Sequence, residues 1–509
     1  MSKKNTEEFL QTHKYTVFAF FSFLYFVGVF AKSIVKPFWF DELLVWQVAQ
    51  LPSLSEIWKA IGPMDPTPPF FLGLVKISQS FFGTGELATR FPAILGVWVA
   101  LLFLFLILDK RCGTVIAFIG IIALSLTKAL SYTYEARSYA WVLAFCAISF
   151  RCWQLASEHP RKLPLAGLFF SLTAAMYTHF YAVLLVIPLL AGEAWKLLKD
   201  GKVNWSIITT FTLVGIASTP LVPLVLKCTD TGILLSSFWA QPSTIGFFTS
   251  LFKLFWPLGV LLGCAIILHF ISRIIRQKSH SPIGHAEVKC FFPAHERAAA
   301  ICLALLPLFG LLIAILFTNA YTDRYVLSST IGATILLAYT IGLLAKPGTP
   351  ERIIILLAFF FLLCFRHGMF LQTYLHTDGK TENPIPVEFY SEENLPIVIL
   401  SPLEFMQIQH YAPDSLKNRL FYLIDFSKNY NYGAGYSSSA ELSVSGIRKY
   451  QDLKVEDFDI FIQKNKTFFV WGKKSPLIPQ LIKIARTSNS EEPLNKQFFE
   501  KSLVKIMIE

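Results

Sequence analysis

Apolar stretches long enough to cross a bilayer recur from Tyr15 to about Leu371, and they settle the class of fold before any single residue is considered. We read eleven of them, near residues 15–36, 88–108, 113–130, 139–155, 164–178, 180–196, 205–226, 252–273, 298–317, 326–345 and 352–371. Inside hydrocarbon each must satisfy its own backbone groups, so each is expected to be a helix. The fifth and sixth are short and meet at Thr178-His179-Phe180. Composition agrees with this class: charged residues are 16% of the chain, where soluble domains carry about a quarter. The expectation is a polytopic α-helical membrane protein of about eleven transmembrane helices.

Charge gives the orientation. A formal net charge of +11 is shared with many nucleic-acid binders, but no basic face here is interleaved with stacking aromatics. The basic clusters fall instead in alternate gaps between apolar runs: Lys110-Arg111, Arg161-Lys162, Lys196 with Lys199 and Lys202, Arg273 to Arg297, and Lys346 with Arg352. That is the positive-inside pattern, and with Lys3, Lys4 and Lys14 it puts the N-terminus in the cytoplasm. The first apolar run is span-length and is read as a retained anchor rather than a cleaved signal. An odd number of spans then leaves the C-terminal part outside. The eight cysteines show no CxxC or Cys/His ligand spacing, so neither a zinc site nor a disulfide framework is indicated.

Two domains are read: a membrane module over 1–374, including an outer loop at 37–87, and an extracytoplasmic α/β domain over 375–509. In the outer loop, Leu43, Leu44, Trp46 and Val48 fit an interfacial helix, and Ser53-Leu54-Ser55-Glu56 reads as a capping box opening a second. Asp65-Pro66-Thr67-Pro68-Pro69 breaks the chain and starts a third helix. In the tail, Pro396 to Leu400 reads as a strand, Pro402 to Tyr411 as a helix and Leu420 to Ile424 as a second strand, a βαβ-sized unit. Further strands are expected at Phe458 to Ile462 and Thr467 to Trp471. No glycine-rich phosphate loop is present, which argues against a nucleotide site.

On this topology, polar residues gather at the outer face. Asp41-Glu42 follows the first span directly, so a carboxylate there escapes full desolvation and is suited to take a proton. Outer loops also supply Asp65; Tyr134, Glu135, Arg137 and Tyr139; His179 and Tyr181; and Asp323, Arg324 and Tyr325. Arginine and histidine there can neutralise a phosphate at headgroup level, and the arginine fork does so bidentately. Singly, each has an ordinary reading as a snorkelling, helix-end or belt residue. Their convergence from five segments is the signal.

Phe40-Asp41-Glu42, Thr67-Pro68-Pro69-Phe70, Glu135-Ala136-Arg137-Ser138-Tyr139, Thr178-His179-Phe180-Tyr181 and Asp323-Arg324-Tyr325 stand in the order seen in GT-C-type glycosyltransferases. The chain most resembles their bacterial branch, related to aminoarabinose transferases and protein O-mannosyltransferases. The resemblance covers roughly residues 15 to 371 and, more loosely, the first βαβ part of the tail. It implies inverting transfer of a sugar from a polyprenyl phosphate carrier to an acceptor, whose identity it leaves open, at the outer face of a bacterial inner membrane. By that resemblance Asp41, with Glu42, is the catalytic carboxylate; Arg137, His179, Arg324 and Tyr325 are donor-phosphate residues. Asp65, Glu135, Tyr139 and Tyr181 are acceptor or supporting residues. No metal is expected, although Asp41, Glu42 and Asp65 are the carboxylates that would hold a divalent ion. The chain departs from the family in having Thr67 where a histidine often precedes Pro-Pro. A secondary transporter or lipid-sugar flippase is the alternative, but most span interiors lack charge and no internal repeat is seen.

Overall fold

The computed structural model describes residues 3–61, 67–226, 240–277, 290–390, 393–424, 438–448, 453–472, 475, 477–487 and 503–508. Its contacts divide the chain into two units. The first comprises Met1–Lys36, Thr67–Lys227 and Pro242–Lys380, and the second Pro37–Pro66, Cys228–Gln241 and Thr381–Glu509.

The first unit is helical. Among the described residues, seven helices are long and apolar enough to span a membrane: Lys14–Val35, Glu86–Cys112, Tyr139–Glu158, Phe180–Asp200, Trp205–Leu226, Thr244–Ile274 and Pro350–His376. Two bent helix pairs have the length and apolarity of a span when taken together, Thr114–Ser125 with Lys128–Tyr134 at 66° and Ala294–Ala304 with Leu306–Thr318 at 49°. The remaining two expected spans are helices of less than spanning length, Lys162–Met176 and Ser329–Leu344. The breaks have local causes. Thr127 donates its hydroxyl to the Leu124 carbonyl at 2.7 Å and accepts from the Ala129 N–H at 3.2 Å, closing one helix and opening a tighter turn. At the other break, Pro307 in the first turn of the second half cannot supply the N–H that would continue the ladder.

Helices approach closely where a side chain is missing. A Cβ on Gly96 would lie 2.9 Å from the Ala140 backbone, and one on Gly332 would lie 2.6 Å from the Ala304 nitrogen. Such small-residue contacts let membrane helices pack without a hydrophobic drive between them. Phe20, Phe23, Phe252, Trp256, Phe361 and Phe365 stay exposed on the outside of their helices, as lipid-facing residues should. The cysteines need a correction. Cys112 and Cys290, separated by 178 residues, are joined by a disulfide. Pairing at that separation carries no spacing signal, which is why the sequence did not disclose it.

Among the described residues, the second unit holds a six-stranded sheet. Its strands are β1 (Ile397–Ile399), β2 (Leu420–Ile424), β3 (Val455–Asp457), β4 (Thr467–Trp471), β5 (Ala485–Thr487) and β6 (Val504–Ile508), in the order β3-β2-β1-β4-β6-β5. The first four are parallel, with Ile397 opposite both Leu420 and Phe469; β6 and β5 run antiparallel. The βαβ unit forms as expected, with its helix at Pro402–Tyr411. Residues Phe458 to Ile462, expected as a strand, lie in a helix, Phe458–Lys464. Asp457 caps it by accepting from the Asp459 and Ile460 N–H groups. Phe458 and Phe461, three apart, face the core while Ile460 is exposed, a helical rather than a two-residue period.

The loop after the first span belongs to this unit. Phe40–Ala49 is helical, but Leu43, Leu44, Val45 and Val48 are buried in protein rather than offered to a membrane interface. The segment is pinned to the helix Pro402–Tyr411: the Phe38 N–H donates to the Tyr411 hydroxyl at 2.8 Å, and Gln407 Nε2 donates to the Phe38 carbonyl at 2.8 Å. The helix Leu54–Ala60, capped by Ser53, does keep Leu54 and Trp58 exposed.

Candidate active site

Three separate turns of the first unit bring Arg137, His179 and Arg324 together. Arg137 precedes the helix Tyr139–Glu158, and its Nη2 donates to the Tyr139 hydroxyl at 3.3 Å. Arg324 lies in a single turn, Asp323–Val326, whose geometry is set by Thr322 accepting from the Arg324 N–H at 3.3 Å. Both guanidinium groups lie over the same ring, 5.4 Å and 5.9 Å from the centroid of Tyr139. His179 caps the turn Phe180–Leu185, its Nδ1 accepting from the Tyr181 N–H at 3.2 Å. With Nδ1 an acceptor, the proton of the neutral ring sits on Nε2 and is available to donate.

Aromatic rings form the frame. His179 lies 5.1 Å from both Tyr139 and Tyr325, and Tyr181 lies 4.9 Å from Tyr325. Tyr139 and Tyr181 are buried, whereas Arg137, His179, Arg324 and Tyr325 each keep part of their surface open. Tyr181 is fixed by its hydroxyl, 2.6 Å from Thr318 Oγ1.

The electrostatics suit an anion. Desolvation, together with the charge of Arg324, lowers the pKa of Arg137 to about 10, which leaves it protonated at neutral pH. Desolvation, then Arg137 and Arg324, pulls His179 down to about 3, so it is neutral. Burial, with Tyr139 next, pushes the Tyr325 phenol up, so it stays a donor. Two cations and two neutral donors therefore converge on one locality.

Two nearby carboxylates tie basic residues of neighbouring segments, and the charge of Glu135 also reaches Arg324. Glu135 accepts from Lys36 Nζ at 3.2 Å, tying the end of the first span to the turn before Arg137. Asp323 pairs with Lys128. Sequence reasoning passed over Lys36 and Lys128 as ordinary basic residues. It also missed Arg90, fully buried, which donates to the Ser33 and Lys36 carbonyls at 2.7 and 2.6 Å and so closes the C-terminus of the first span. An arginine at the edge of an apolar run was the available signal.

Asp41 and Glu42 belong to the second unit, in the first turn of the helix Phe40–Ala49. Glu42 is buried, and its Oε2 accepts from the Trp39 N–H at 3.1 Å, a capping bond that occupies it structurally. Asp41 is half-buried in the first turn of that helix. Asp65 lies outside the described residues. Among the described residues, no three His, Cys, Asp or Glu side chains are grouped to hold a metal ion.

Comparison with known proteins follows the same lines. Residues 66–226 match the family model described as dolichyl-phosphate-mannose-protein mannosyltransferase. Two crystal structures of ArnT from Cupriavidus metallidurans share the architecture. The apo state gives a TM-score of 0.56 at 12% identity, covering 97% of this chain and 98% of that one. The state bound to undecaprenyl phosphate gives 0.52 at 13% identity, with the same coverage. The chain has the GT-C fold. No curated protein sequence matches it.

Identity this low establishes architecture, while the family match adds sequence support over the segment holding Thr67-Pro68-Pro69, Glu135 to Tyr139 and Thr178 to Tyr181. Together they bear out the resemblance to GT-C-type glycosyltransferases and a multi-pass membrane protein with a C-terminal sheet. Asp41 and Arg324 fall outside the matched segment of this GT-C chain.

Proposed function

We propose that this protein is an inverting glycosyltransferase that moves a sugar from a polyprenyl phosphate carrier to an acceptor hydroxyl on the extracytoplasmic face of the membrane. The observation that carries this reading is the pair Arg137 and Arg324 over the Tyr139 ring, beside the Nε2–H of a neutral His179. Like charges in a poorly solvated setting repel, and a bound phosphate offsets that cost. ArnT, with the same fold, has been crystallised with undecaprenyl phosphate, which supports a carrier of that class.

In the reaction Asp41 accepts the proton of the acceptor hydroxyl as its oxygen attacks the anomeric carbon. The bond from that carbon to the phosphate oxygen breaks, and the carrier phosphate leaves with the electron pair. Arg137 and Arg324 stabilise the charge that develops on it, and His179 and Tyr325 donate hydrogen bonds. Charge neutralisation by arginine removes the need for a metal at this step. Tyr139 and Tyr181 hold the arginines and the histidine turn in place, and Glu135 holds Lys36. Basic loops at alternate gaps support a cytoplasmic N-terminus and a bacterial inner-membrane setting.

The test is transfer by purified protein from a panel of polyprenyl-phosphate sugars, in the presence and absence of EDTA. Turnover of one donor with inversion at the anomeric carbon, insensitive to EDTA, is expected. Absence of turnover with every donor, or retention of configuration, contradicts the reading.

A further inference from the structure

The second unit contains a cavity of about 320 Å³ that the transfer reaction does not use. Its walls come mainly from two elements already pinned together, Trp46 and Gln47 on the helix Phe40–Ala49 and Met406, Gln409 and His410 on the helix Pro402–Tyr411, with Lys417 and Leu453 completing the lining. The volume is at the small end of the roughly 300–1,000 Å³ range of small-molecule sites, which suits one compact ring rather than a chain. The Trp46 and His410 rings meet edge to face at 4.7 Å, so the indole is held in one orientation.

One wall atom asks for a ligand. The side-chain oxygen Oε1 of Gln409 is buried without a hydrogen-bond donor among the described residues. A buried acceptor left unsatisfied costs free energy that a hydroxyl donor would recover. A second amide, Gln47, lines the same cavity, and an apolar surface is supplied by Trp46 and Met406. An aromatic face with amides around it is complementary to a sugar ring, which carries C–H groups on its faces and hydroxyl donors and acceptors on its edge. An apolar ligand would leave Gln409 unpaired; an anion would add acceptors beside an acceptor, and Lys417, which also lines the cavity, already meets Asp414 at 3.5 Å.

We propose that this cavity binds a single sugar ring of the acceptor, making the acceptor a glycan or glycolipid. The word acceptor rests on the transfer reading above; the sugar site itself does not. The cavity holds a non-reacting ring. Trp46 is five residues beyond Asp41, about 7.5 Å along the helix and about 140° around it, so a ring on Trp46 does not face that carboxylate. The site then contributes acceptor affinity rather than chemistry.

The test uses the full chain in nanodiscs, titrated with D-glucose, D-galactose, D-mannose and N-acetylglucosamine and followed by saturation-transfer NMR. At least one sugar should bind saturably in the millimolar range. Gln409→Met removes the orphan oxygen while keeping the shape, so it should weaken that binding by at least about tenfold with thermal stability kept or raised. Trp46→Ala should abolish it. The proposal is overturned if none of the four sugars saturates, or if Gln409→Met binds as the parent does. Saturable, Gln409-dependent binding in a protein that transfers from no carrier would support the sugar site and sink the transfer reading, so the two fail separately.

Discussion

The two ends of the helix Tyr139–Glu158, about 30 Å apart, treat charge in opposite ways. At its C-terminal end cations meet carboxylates. Arg111 binds both Glu158 and the fully buried Glu296, Lys110 binds Glu158, and Gln154 Nε2 adds a bond to Glu296 at 2.9 Å. At its N-terminal end Arg137 and Arg324 share one tyrosine ring and depress His179 between them. The first arrangement is what a packed membrane protein needs to hold helix ends together. The second brings two guanidinium groups onto one aromatic face. Ionisation perturbed in this way is typical of functional sites, and on the transfer reading proposed above it serves the carrier phosphate.

The sharpest way to break this contrast is to remove the proposed base. Asp41→Asn should cut turnover by about 10²–10⁴-fold while donor binding stays within about twofold of the parent. If turnover survives, the base lies elsewhere, and Asp65 is the next carboxylate to substitute. Glu296→Ala should act only on the paired end. It leaves Arg111 without a buried partner, so thermal unfolding should show a loss of roughly 3–5 kcal/mol, with donor affinity unchanged in the folded fraction.

Arg137→Ala should do the reverse. Loss of a charge-assisted hydrogen bond, about 1.5–3 kcal/mol, should weaken donor binding without a fall in melting temperature. Arg137→Lys should lie between, keeping the charge but not the fork. If the alanine protein is destabilised and binds donor normally, Arg137 is an interface anchor and the two ends are alike.

The smallest effect concerns pH. His179 has a folded-state pKa near 3, below the ordinary value of 6.5, so its neutral form stabilises the fold above about pH 6.5. That contribution is lost progressively as pH falls toward 3. His179→Asn should therefore flatten this part of the acid limb of a stability profile. Affinity for a phosphodiester-linked donor should stay flat from pH 6 to 8, because His179 does not titrate there. A tenfold rise on going from pH 8 to 6 would mean the histidine binds as a cation.

Much of this was legible in the sequence, for physical reasons. Each expected span has a helix, because apolar length and alternating basic loops are dictated by the bilayer itself. Thr178 to Tyr181 was readable as a place where two short helices meet, and the structure makes it the turn that aims His179. The bends at Thr127 and Pro307 were not read, since periodicity continues across them. Pairings over long separations were equally hidden: Lys128 with Asp323, Lys36 with Glu135, and the disulfide Cys112–Cys290. Glu42 was read as catalytic with Asp41; as residue N3 of the helix it also serves as a cap, which only the helix start at Phe40 reveals.

The central claim, that Arg137, His179 and Arg324 form a site for a carrier phosphate, is tested most directly by two ligands that differ only in that group. Binding of undecaprenyl phosphate and of undecaprenol to the parent protein should be compared in the same nanodiscs. The phosphate should bind tighter by about two orders of magnitude, as expected for losing charge-assisted bonds worth about 1.5–3 kcal/mol each. Equal affinity for phosphate and alcohol would contradict the account.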